Sequence, residues 1–73
     1  MKWCTVYAKY KGLKTFKAID IHTFEPVSHL MYASMIQNTP QNQSKLNRIA
    51  AQNKEKSLKI QLREGTKILF TTN

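Results

Sequence analysis

Between Thr39 and Phe70 a helix start, a helical period and a stop signal agree, and the rest of the chain has to be built around that stretch. Thr39 followed by Pro40 reads as an N-cap and a first helical residue. A threonine oxygen accepts from a free backbone N–H, and proline lacks the N–H that would go unpaired there. Leu46, Ile49, Ala50 and Asn53 then fall at i, i+3, i+4 and i+7, a narrow apolar stripe, with Lys45, Arg48, Gln52 and Lys56 to one side of it. This spacing predicts a helix over about 40–56 with one basic edge, ending where Asn53 to Ser57 lowers helix propensity and lysines meet the C-terminal dipole.

After the helix, Leu58, Ile60 and Leu62 alternate with Lys59, Gln61 and Arg63, the period of a strand with one buried and one wet face. Glu64 and Gly65 are turn residues, and Ile68 to Thr72 resumes a β-prone run, so a C-terminal hairpin is expected over about 58–72. Leu46 and Ile49 are expected to pack on Leu58, Ile60, Leu62, Ile68 and Phe70.

Upstream, Cys4, Val6, Ala8 and Tyr10 alternate with Trp3, Thr5, Tyr7 and Lys9, which predicts a strand with a small apolar face and an aromatic, basic one. Lys11 and Gly12 form a turn. Leu13 to Ile21 reads as a second strand whose apolar residues change parity at Phe16 and Ala18, as a bulge or two-sided burial would allow. Pro26 cannot donate to a ladder, so a loop is placed over His22 to Ser28. The nearly continuous apolar run Leu30 to Ile36 fits a central strand buried on both faces, with a short helix as the alternative. The expected class is therefore α+β: a small single domain over 1–73, with a mostly antiparallel sheet of about five strands in the order β-β-β-α-β-β and one helix packed on one face.

A chain of 73 residues can build only a small core, which leaves room for a homodimer or a partner-stabilised fold. Cys4 is the single cysteine, which rules out an intramolecular disulfide and is read as core in a reducing compartment. No apolar run approaches membrane-spanning length and the start does not resemble a signal peptide, so a soluble, cytoplasmic protein with no membrane partner is expected.

Twelve Lys and Arg against four Asp and Glu give a formal charge of +8, a field that favours polyanions or acidic protein surfaces. Ordinary solubility accounts for much the same composition, because ten of the twelve cations are lysine. Nothing in the sequence makes a catalytic or cofactor motif. Both glycines fall in turns, and there is no phosphate-binding glycine loop. Asp20, His22, Glu25 and His29 match no metal-ligand spacing, so no metal, no cofactor and no enzymatic activity are expected. The segment Lys11 to Phe16 lacks the aromatic and small residues of an RNA-recognition strand motif, having Leu13 and Lys14 in their places.

If Leu58, Ile60 and Leu62 face the helix, Lys59, Gln61 and Arg63 point away from it, and Trp3, Tyr7 and Lys9 can join them; the alternative is that Trp3 and Tyr7 are core and Lys59 and Arg63 a solvated edge. Aromatic rings among cations hold single-stranded nucleic acid by stacking and phosphate contact. The expected binding residues are Trp3, Tyr7, Lys9, Lys11, Lys14, Lys17, Lys59, Arg63 and Lys67, with Lys45, Arg48 and Lys56 as a second patch. The competing expectation is a protein-binding accessory or inhibitor, of the compact kind carried by phages and mobile elements, that sets its basic face against an acidic protein or nucleoprotein surface.

Overall fold

The computed structural model describes residues 2–73. Among these residues there are five strands and one α-helix: β1 Trp3–Lys9, β2 Lys17–Ala18, β3 Met35–Gln37, α1 Pro40–Gln52, β4 Lys59–Glu64 and β5 Lys67–Thr71. All pairings are antiparallel, in the order β2-β1-β4-β5, and β3 also pairs with β1. Thr5 is opposite Met35 on one edge of β1 and Arg63 on the other, while Tyr7 is opposite Ala18 and Gln61. Short β2 and β3 thus share one edge of β1, end to end. This is the α+β sheet with a single covering helix that the alternation and the Thr39 cap imply.

The helix begins as the cap chemistry dictates. Thr39 is extended and its side-chain oxygen accepts from the Asn42 N–H at 3.0 Å, while Pro40 occupies the first turn. Its end comes earlier than the expected Lys56. Asn53 donates its side-chain amide to the Ile49 carbonyl at 2.8 Å, a 3-10 turn follows over Lys54–Lys56, and Ser57 adopts a left-handed conformation with φ 55°. An asparagine that bonds the preceding turn offers the chain a way out of the helix.

Inside, Cys4, Val6 and Ala8 of β1, Leu58 and Ile60 and Leu62 around β4, Ile19 and Leu46 form one buried cluster, with Ile36, Ile49 and Phe70 packed against it. Fully burying a Val, Leu or Ile side chain contributes about 1.5–3 kcal/mol. The helix therefore covers one face of the sheet and leaves the other to solvent.

Three expectations are corrected. The second strand shrinks from Leu13–Ile21 to Lys17–Ala18, because Gly12 turns the chain with φ 99° and residues up to Phe16 stay irregular. Leu30 to Ile36 is not a central strand: Leu30–Tyr32 is an exposed 3-10 turn, and only Met35–Gln37 pairs, on the edge of β1. His29 Nδ1 accepts from the Met31 N–H at 3.1 Å and Ser34 Oγ accepts from the Ile21 N–H at 2.8 Å, local bonds that divert the run from a ladder. Ile68 does not pack under the helix. Leu62 is opposite Phe70 but Arg63 is opposite Ile68, so Leu69 is an extra residue, and this bulge puts Phe70 inside and Ile68 on the open face, half exposed.

Candidate nucleic-acid interface

The open face is a grid set by strand register. Along β1 it carries Trp3, Thr5, Tyr7 and Lys9; opposite them on β4 stand Arg63, Gln61 and Lys59. Met35 and Gln37 of β3 flank the Trp3 end, and Ile68 and Thr71 of β5 lie beyond β4. Residues opposite one another in an antiparallel pair project to the same side, so Trp3, Tyr7, Lys9, Lys59 and Arg63 share one surface.

Trp3 is 58% exposed, so its indole is available to a partner. Tyr7 is half-buried and carries the Arg63 guanidinium over its ring, 4.1 Å from the centroid. That spacing is a cation–π stack, and the Phe16 ring flanks the same guanidinium at 5.8 Å. Gln61 fixes the arrangement from below: its Oε1 accepts from Arg63 Nε at 2.9 Å and from a terminal guanidinium nitrogen at 2.7 Å. Arginine has five N–H donors, and these bonds to Gln61 use two of them. Gln61 is itself buried although it lies on the open face. Phe16 and Gln61 were not expected among the functional residues. The parity change at Phe16 was the one available signal for the first; for Gln61 the period-2 alternation gave its face beside Arg63 but neither its burial nor its bonds.

Lys9 and Lys59 stand directly opposite one another at the far end of the face. Like charges so placed repel, and among the described residues the only ion pair is Lys2 with Glu64 at 3.6 Å.

The remaining expected cations are distributed elsewhere. Lys11 and Lys14 are exposed in the turn region that follows β1. The Lys11 N–H donates to the Lys56 carbonyl at 2.7 Å, which joins this turn to the end of the helical segment. Lys17 is opposite Ala8 and Lys67 opposite Glu64, so both have the parity of the helix-covered face. Lys45 and Arg48 are exposed on α1, a separate basic strip. Asp20 and His29 serve backbone turns: Asp20 Oδ1 accepts from the His22 N–H at 2.8 Å, and His29 caps the 3-10 turn. No group of three or more His, Cys, Asp or Glu converges among the described residues.

Cys4 is fully buried. Burial pushes its thiol above the ordinary range, and the Glu64 charge adds to the effect. Such a thiol stays protonated and unreactive. No helix among the described residues is long and apolar enough to cross a membrane. No protein-family model matches this chain, and no curated protein and no solved structure matches it.

Proposed function

We propose that this protein is a small non-enzymatic module that binds nucleic acid, single strands in preference to duplex, through the open face of its sheet. The observation that carries the reading is the fixed Arg63 guanidinium, stacked on Tyr7 and held by Gln61, on the same surface as exposed Trp3 and the Lys9–Lys59 pair. Trp3 supplies a stacking surface for one base, worth about 1–3 kcal/mol. Arg63, Lys9 and Lys59 take phosphates along the strand, and Lys11 and Lys14 extend the track past the end of β1. Tyr7 supports Arg63 with its ring face and so acts as a pedestal. With two arginines in the chain there is little capacity for bidentate reading of guanine edges, and binding is of low sequence specificity.

The test is fluorescence anisotropy of a labelled single-stranded oligonucleotide, with a duplex for comparison and Trp3 emission followed in parallel. About five phosphate contacts on a single strand give an affinity that falls roughly a hundredfold between 50 and 200 mM salt. Quenched Trp3 emission with that salt slope supports the stacked-base reading. Absence of binding at low salt overturns it, and the cationic face is then assigned to an acidic protein surface.

A further inference from the structure

From Pro26 to Ser44 the chain has no Lys, Arg, Asp or Glu, although the whole carries a formal charge of +8. The same segment holds four of the six large apolar side chains exposed among the described residues, including the three most exposed: Leu30 is 60% exposed, Met31 73%, Tyr32 63% and Met35 51%. Three of them sit on the 3-10 turn Leu30–Tyr32, and Met35 opens β3 at the border of the open face. Isolated exposed apolar residues are ordinary, but four within six positions form a patch of the kind that marks an interface.

The projection is firmly built. His29 caps it, the Tyr32 N–H donates to the His29 carbonyl at 2.9 Å and the Ala33 N–H to the Leu30 carbonyl at 3.0 Å. Ser34 then ties it to the sheet: its N–H donates to Ile19 and its carbonyl accepts from Val6, both at 2.9 Å. A shape set before docking loses little conformational freedom on docking.

We propose that this charge-free projection is the contact by which two copies of the chain associate, as a two-fold dimer centred on Met31 and Tyr32. Charge distribution selects the occupant. A nucleic acid or an acidic protein is drawn to the cations, which lie in residues 2–17 and 45–67, and finds nothing complementary between them. Two chains of +8 repel each other wherever their cations meet, and the charge-free segment lets them touch with those cations turned outward. In a two-fold contact the same patch serves both partners, so an uncharged apolar patch complements itself. A standard interface takes about 800 Å² from each partner, roughly a sixth of this chain's 5160 Å² of surface. Leu30, Met31, Tyr32 and Met35 supply its apolar centre, and Asn38 and Gln41 offer uncharged polar groups for a rim. Lys9 and Lys59 lie at the other end of β1 from Met35, and the test below is made without nucleic acid, so it fails or succeeds independently of the nucleic-acid reading.

The experiment is sedimentation equilibrium of the full chain without nucleic acid, up to millimolar concentration, in low salt and in about 1 M salt, where the screening length falls to ~3 Å. The expected result is a dimer whose dissociation constant falls about tenfold as salt rises, because repulsion is screened while apolar burial persists. Met31→Asp and Tyr32→Ser, each with unchanged circular dichroism, are expected to raise that constant about tenfold or more. A monomer at millimolar concentration in high salt overturns the proposal. So does a dimer that weakens with salt, or one indifferent to both substitutions.

Discussion

The Arg63 guanidinium lies 4.1 Å from the centroid of the Tyr7 ring, on a neighbouring strand, and its two donated bonds to Gln61 fix it there. Arg63 is thus a structural member of the open face as well as its central cation. Arg63→Lys keeps the charge but loses the planar fork and the stack. It leaves the buried Gln61 oxygen without its donors, at a cost of about 1–3 kcal/mol that urea denaturation would read. Single-strand affinity should fall by about three- to tenfold, because a mobile ammonium replaces the fixed fork proposed to hold a phosphate. A variant of wild-type stability would show that the stack does not hold the strand pair.

The helix start is a second place where one side chain has a measurable share of stability. Thr39→Ala removes the acceptor for the Asn42 N–H, a loss of about 1 kcal/mol. In a domain of this size that lowers the melting temperature by about 4–8 °C. Thr39→Ser should restore most of it, because the hydroxyl and not the methyl makes the cap. A melting temperature untouched by Thr39→Ala would count against a helix anchored at that residue.

Cys4 gives the protein a pH signature. Its thiol is raised in the folded chain, so on going alkaline the unfolded chain releases the proton first and the folded chain binds more protons. Stability from this group is full below the ordinary thiol pKa of about 8.5 and declines as pH rises through the folded value. Cys4→Ala should flatten that decline while lowering stability at neutral pH through the lost packing. A thiol reagent should modify Cys4 only at the rate of unfolding; rapid labelling of the native chain would contradict its burial.

Local rules made part of this fold legible and hid the rest. The cap at Thr39 depends on residues within one turn, and the inward sets of β1 and β4 depend only on period, so both could be read directly. Trp3, Tyr7, Lys9, Lys59 and Arg63 follow onto one face as soon as β1 pairs with β4, but the pairing itself is a non-local event that no periodicity encodes. Ile68 was illegible because the bulge at Leu69 inverts parity in mid-strand. Leu30 to Tyr32 misled for the opposite reason: an unbroken apolar run signals burial, whereas His29 and Ser34 hold this one outside. Gln61 looked like any wet-face residue, and only the register shows it beside Tyr7 and under Arg63.

Lys9 and Lys59 separate folding from binding. Directly opposed like charges weaken a strand pair, by about 0.2–1 kcal/mol on the scale of cross-strand contacts, so Lys59→Gln should leave stability unchanged or raise it by a few tenths. The same substitution removes one of the proposed phosphate ligands, and affinity for a single strand should fall. Replacing both lysines by Gln should reduce the slope of log affinity against log salt by about 1.4, since each phosphate contact on a single strand contributes roughly 0.7. Denaturation and anisotropy on the same samples would show stability held or gained while binding is lost, a combination that partial unfolding cannot produce. An unchanged salt slope in the double variant would take the strand off this end of the face and leave Lys11, Lys14 or the Lys45–Arg48 strip of α1 to carry the phosphates.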